Sequence, residues 1–398
     1  MNIDDNQLKN LGEVRSFIPY GRQEITEDDI IQVINTLKSD FLTQGPLVPK
    51  FEEAIEAKFS SGHATVVNSA TSALHIACLA LDVRPGDLVW TVPNTFVASA
   101  NCALYCGAKV DFVDIDTVTT NVSVSLLREK LHEAKKANRL PKVVIPVHLA
   151  GEPCDMVAIK NLANEYGFKI IEDASHAIGG EYHGKPIGSG EYSDITVFSF
   201  HPVKVVTSGE GGAALTNSSE LDQKLKLLRS HGITRDPDIM QFPKDDGWYY
   251  EQVDLGFNYR MTDIHAALGL SQLARIDEYI ERRHEIASRY DQEFNGANFQ
   301  TPYRNPLNKS ALHLYVIQVE PSQHKRIFHK LRDNKIGVNL HYIPVHTQPY
   351  YQKLGFSWGD FPNSEDYYKK AISLPIFPTL TENEQSYVIE TVKKLCDD

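Results

Sequence analysis

Paired cysteines, basic runs and long apolar stretches are all missing from this 398-residue chain. Its five cysteines, Cys78, Cys102, Cys106, Cys154 and Cys396, are odd in number and show no C-x-x-C spacing. That excludes a disulfide scaffold, a zinc ribbon and a redox dithiol. Cys102 and Cys106 share a helix face, but two thiols with no third ligand nearby predict core packing and no metal site. No window comes near the roughly 20 apolar residues that span a bilayer. The start of the chain carries Asp4, Asp5 and Glu13 where a signal peptide would be apolar. These absences predict a reduced, cytoplasmic protein with no membrane partner. Lys plus Arg number 40 against 52 Asp plus Glu, a formal charge of −12. Such a surface repels a polyphosphate backbone, so nucleic acid is not an expected partner.

What is present is a large core. Hydrophobic residues make up 42% of the chain and charged residues 23%, and at about 150 residues per domain the length predicts two or three domains. Thr26 and Asp29 form a capping-box pattern before Ile30, Val33, Ile34 and Leu37, which recur at helical spacing. From Leu88 to Thr216, β-branched runs (88–92, 109–115, 142–149, 168–173, 195–200 and 212–216) alternate with helical segments. One crossover is explicit: Asp155 caps a helix with Ile159, Leu162, Ala163 and Tyr166 on one face, and Gly167 stops it. Serial βαβ units predict an open, mostly parallel sheet with helices on both faces and functional groups at the strands' carboxyl ends. A long helix over 262–294 then leads to strand-like (312–319) and helical (322–334, 381–396) pieces. The expected division is a large α/β domain over 1–262, including an N-terminal arm, and a smaller α+β domain over 263–398.

Three features concentrate chemistry. Asp173 ends the apolar run FKIIED and is followed by the small residues of ASHA, so its carboxylate either faces the ligand crevice or caps the next turn. Lys204 lies in TVFSFHPVKVVTSGEGG. Phe198, Phe200, Val203, Val205 and Val206 around it would desolvate an ammonium, lower its pKa and give the amine Schiff-base chemistry requires. The glycines at 209, 211 and 212 permit close backbone approach. Asn68–Leu74 (NSATSAL) opens an apolar helix, where exposed N–H groups either hold a phosphate or are simply capped. Together a lysine, an acid and a phosphate cradle match the needs of pyridoxal phosphate.

At these residues the sequence resembles the nucleotide-sugar aminotransferases of the DegT/StrS type. The likeness runs through DFLTQGP, NSATSALH, PGDLVWTVPNTFVASAN, IIEDASHAIGGEYHGKPIG, FSFHPVKVVTSGEGG, LGFNYRMTDIHAALGLSQL and HYIPVHTQPYY. It implies the aspartate aminotransferase-like fold type I and a homodimer with shared sites. It also implies that Lys204 is the cofactor-bearing lysine and acid/base, with Asp173 pairing the pyridinium. By the same likeness His176 lies beside the ring, Phe96 stacks where some members carry Trp, and Ala70, Thr71 and Ser199 hold the phosphate with Asn258 from the neighbouring subunit. A related branch with His at the lysine position performs dehydration, and Lys204 argues against it. Within the family, EDASHA, FSFHPVK and the tail motif are most similar to the pseudaminic acid branch. That implies transfer of glutamate's amino group to the C4 ketone of a UDP-linked 4-keto-6-deoxy-N-acetylhexosamine. The alternatives are a dTDP- or GDP-linked keto sugar and a non-catalytic cofactor-binding regulator. An acidic protein binding a nucleotide needs local cations, for which Arg229, His231, Arg260 and His341 are candidates, with Thr43 in a lid-like turn over 43–45.

Overall fold

The computed structural model describes residues 16–242 and 246–397; the first fifteen residues of the expected N-terminal arm lie outside them. The chain forms a seven-stranded sheet of β1 (His63–Val67), β2 (Leu88–Thr91), β3 (Lys109–Phe112), β4 (Val143–Val144), β5 (Lys169–Asp173), β6 (Ile195–Ser199) and β7 (Gly212–Thr216). Their spatial order is β1-β7-β6-β5-β4-β2-β3. All neighbours pair in parallel except β7, which runs antiparallel to both β1 and β6. The connection from β6 to β7 holds no crossover helix, and a strand returning that way can only be antiparallel. The sheet is almost wholly buried, as strands covered by helices on both faces must be.

The crossover helices obey their sequence signals. Asp155 Oδ1 accepts from Ala158 N–H at 3.1 Å at the start of Met156–Tyr166, and Gly167 ends that helix at φ 81°. The capping box of Thr26 and Asp29 opens Glu27–Leu37. The expected 262–294 helix is instead two, Asp263–Leu273 and Ile276–Glu293. Arg275 sits at the break and gives Asp29 two hydrogen bonds of 2.9 and 2.7 Å, while Gln272 donates to the same carboxylate. A tertiary ion pair with a fully buried aspartate thus sets a boundary that periodicity does not show. Strand β4 is also shorter than its apolar run, because Pro146 lacks the N–H the ladder needs. β1 carries no alternation that marked it as a strand in the sequence. Strands β8 (Tyr315–Gln318) and β9 (Ala371–Leu374) form a separate antiparallel pair. Helices Pro321–Asp333 and Glu382–Asp397 contribute Ile327, Leu331, Val388 and Val392 to its core. Among the described residues no helix is long and apolar enough to cross a membrane.

Candidate active site

A cavity of about 890 Å³ opens at the carboxyl ends of the parallel strands, where a sheet of this topology collects ligands. It brings together Ala70, Thr71, Phe96, Asp173, His176, Ser199, Lys204 and His341, eight of the residues singled out in the sequence.

Each is positioned by a local element. Asp173 ends β5 and is buried. Its Oδ2 accepts from Ser99 Oγ at 2.6 Å and its Oδ1 from Ser175 N–H at 3.1 Å, so the carboxylate both braces the following turn and faces the cavity. Ser199 ends β6. Beyond it the chain turns through 200–211, held by Ser208 N–H and Thr207 Oγ1 donating to Phe200 O at 3.0 and 3.1 Å. Lys204 projects from this turn, while Phe198, Phe200, Val205 and Val206 are buried behind it. Burial pushes the Lys204 ammonium down to about 8, against the opposing pull of Asp173. At neutral pH a usable fraction of the amine is therefore unprotonated.

Helix Ala70–Ala80 points its N-terminus at the same space. Ser69 Oγ caps Ser72 N–H at 3.1 Å and Ser72 Oγ donates to Asn68 Oδ1 at 2.7 Å. The first N–H groups, of Ala70 and Thr71, have no partner inside the helix. Gly212 lets β7 pass over this terminus: a Cβ there would lie 2.5 Å from Ala70 N. At NSATSAL, capping by Ser69 therefore coexists with a helix terminus that faces the cavity.

Several wall residues were not evident from the sequence. His176 packs against His313 with ring centroids 4.4 Å apart and tilted by 48°, and meets the Tyr342 hydroxyl at 2.9 Å through Nε2. Tyr20, His265 and Asn339 also line the space. Burial and the neighbouring Lys204 charge hold His176 well below the usual imidazole range and bring His341 down to about 3. His313 is depressed in the same direction by burial and by the charges of His176 and Lys204. His176, His313 and His341 thus stand as neutral imidazoles around one amine. In the sequence EDASHA marked His176 and HYIPVH marked His341, whereas His313 and Tyr342, 137 and 166 positions beyond His176, were not singled out.

Four candidate substrate contacts stand elsewhere. Arg229 lies outside this chain's cavity, its Nη1 donating to Glu52 Oε1 and to Val66 O. In the turn over 43–45, Asp263 accepts from Gly45 and Leu47 N–H at 3.1 and 3.2 Å, and Thr43 bridges to Thr262. His231 sits in a left-handed turn at φ 60°, and Arg260 bridges to Val67; neither lines this chain's cavity. Asn258 is also outside it, with its carbonyl accepting from Asn68 Nδ2 at 3.5 Å.

Comparison with known proteins bears on this geometry. Residues 23–393 match the profile of the DegT/DnrJ/EryC1/StrS aminotransferase family. The chain is 39% identical to the UDP-4-amino-4,6-dideoxy-N-acetyl-beta-L-altrosamine transaminase of Campylobacter jejuni, over 94% of this chain and 96% of the relative. Its structure superposes with a TM-score of 0.87 on Helicobacter pylori PseC, an aminotransferase involved in the biosynthesis of pseudoaminic acid. The two are 32% identical over 96% of this chain and 100% of the other. Spr1654 of Streptococcus pneumoniae in its PLP-form superposes with a TM-score of 0.86 at 30% identity, over 96% and 99% of the two chains.

Proposed function

This chain belongs to the DegT/DnrJ/EryC1/StrS aminotransferase family of pyridoxal-phosphate enzymes, and we propose that it moves the amino group of glutamate to the C4 ketone of a UDP-linked 4-keto-6-deoxy-N-acetylhexosamine. The observation that carries the reading is the meeting of the Lys204 amine, the Asp173 carboxylate and the Ala70/Thr71 helix terminus in one cavity. The names of the Campylobacter jejuni and Helicobacter pylori relatives support the choice of sugar.

The residues present fit the cofactor. The close pass of Gly212 leaves the N–H groups of Ala70 and Thr71 open for a phosphate, which Ser199 joins. Asp173 is buried, with a carboxylate that has lone pairs to spare after its two bonds, and would pair the ring nitrogen. Phe96 is about half exposed at the mouth and would cover a ring face, with His176 beside it. When bound, pyridoxal phosphate supplies a protonated heteroaromatic ring that accepts the electron pair left as a Cα–H bond breaks.

The chain's own groups do the proton work. Lys204 Nζ, poised near neutrality, takes the Cα proton of glutamate in the first half-reaction. In the second it returns a proton to the sugar carbon that carried the ketone. Ser99 and Ser175 hold the Asp173 carboxylate in the position from which it would face the ring nitrogen. Depressed imidazoles at His176, His313 and His341 add no competing positive charge.

The same reading makes the enzyme a homodimer in which Asn258 of the partner subunit reaches the phosphate. Supporting it, Ile30, Ile31, Ile34 and Leu37 expose an apolar stripe on helix Glu27–Leu37, the kind of surface that a subunit contact covers. Incubation with glutamate and UDP-, dTDP- and GDP-linked 4-keto sugars tests the function. Release of 2-oxoglutarate with a UDP-linked amino sugar as product is expected. Preferred turnover of another nucleotide would move the substrate, and no 2-oxoglutarate with any keto sugar would favour the regulator.

A further inference from the structure

We propose that Tyr342 is a hydrogen-bond donor to the molecule held in the cavity, its proton turned outward by the fixed tautomer of His176. The backbone N–H of Ala150 donates to His176 Nδ1 at 3.3 Å, so that nitrogen carries a lone pair and no proton. The ring's proton therefore sits on Nε2, which is 2.9 Å from Tyr342 Oη. A protonated Nε2 can only donate. The hydroxyl oxygen is thus an acceptor in this bond, and its own hydrogen is free to leave it in another direction. That direction is the cavity, which Tyr342 lines with Lys204 and Asp173.

The arrangement is held from both ends. Ala150 adopts a left-handed φ of 59° in the turn Leu149–Gly151, aiming its N–H at the imidazole. Gly151 closes the turn against His176, because a Cβ there would lie 2.9 Å from the His176 carbonyl and 2.8 Å from Leu312 N. The phenol is placed by Tyr342 N–H donating to Asn94 Oδ1 at 3.1 Å, and its ring stacks on His176 with an interplanar angle of 24°. Burial pushes the phenol far above its ordinary range, so it works as a neutral donor and not as a phenolate.

The recognised chemistry is an acceptor oxygen at the reacting end of the ligand. It can belong to the cofactor ring or to the sugar, and the test separates them. The inference rests on the proposed function only for what fills the cavity; the tautomer does not. ¹⁵N NMR of the holoenzyme is expected to show His176 with an unprotonated Nδ1 and a protonated Nε2, and a proton on Nδ1 would overturn the proposal whatever the substrate. Tyr342→Phe is expected to lower kcat about 10- to 100-fold, the worth of one hydrogen bond to a charged acceptor. His176→Glu places an acceptor where the donor stood and draws the phenolic proton back. It should produce a similar loss, and the double variant should be no slower than the slower single. A shift in the resting holoenzyme's visible band in Tyr342→Phe assigns the acceptor to the cofactor. An unmoved band with lowered kcat assigns it to the sugar. Additive losses, or a Tyr342→Phe enzyme within twofold of native in both readouts, would overturn the assignment.

Discussion

Glu172 and Asp173 are neighbours on one strand, equally buried, and opposite in use. Because side chains alternate across a strand, Asp173 faces the cavity and Glu172 faces the other side. There Glu172 Oε2 meets His148 Nε2 at 2.8 Å and its Oε1 accepts from Ser193 Oγ at 2.5 Å and from Thr196 Oγ1 at 3.4 Å. That carboxylate thus takes three hydrogen bonds from protein side chains, engaging both oxygens. Among the described residues Asp173 accepts from only Ser99 and Ser175, and keeps capacity for a ligand. A buried carboxylate is thus structural or functional according to how much of its hydrogen bonding the fold has already filled.

Exchanging each charge for an amide should split the pair most widely. Asp173→Asn is expected to fold and to lose turnover by on the order of 10²–10³-fold, the cost of removing a charge-stabilising group from a site. Steady-state kinetics beside circular dichroism would check it. Glu172→Gln should do the reverse: about 2 kcal/mol of stability lost in denaturant titration, from leaving His148 without its anionic partner, with kcat within a few-fold of native. Equal kinetic losses in the two would break the comparison. Ser99→Ala removes one of the two protein donors to Asp173 and should slow turnover about tenfold, with KM for the sugar little changed.

The smallest effect is on stability and pH. An unfolded chain holds the lysine proton to near its ordinary 10.5, whereas the native apoprotein releases the Lys204 proton above about 8. Between those values the unfolded state binds more protons, so apoprotein stability rises with pH across that window, and the full cost of the buried charge is borne below it. Lys204 is partly open to the cavity, which screens the charge. Lys204→Met should therefore raise apoprotein stability at pH 7 by only about 1–2 kcal/mol and flatten the rise, measured as unfolding midpoints across pH.

The legible parts of this site were those written locally. Asp173 follows an apolar strand, Lys204 sits in an apolar setting before clustered glycines, and NSATSAL opens an apolar helix, so a few adjacent residues carried each signal. The mostly parallel character of the sheet followed from serial βαβ units, whereas the strand order, the antiparallel run of β7 and the edge strand β1, whose five residues pair with β7, did not. Contacts set by distant chain were not legible. Ser99 finds Asp173 across 74 positions, and Arg229 finds Glu52 across 177. An arginine near a motif reads the same whether it awaits a phosphate or is already paired. The helix break at Arg275 was hidden for the same reason, since its partner Asp29 lies 246 positions away.

Borohydride reduction of the holoenzyme, followed by peptide mapping, tests the central claim most directly. The account predicts a phosphopyridoxyl label on Lys204 and nowhere else, absent from Lys204→Ala. A label on another lysine, or none on the native chain, would contradict it.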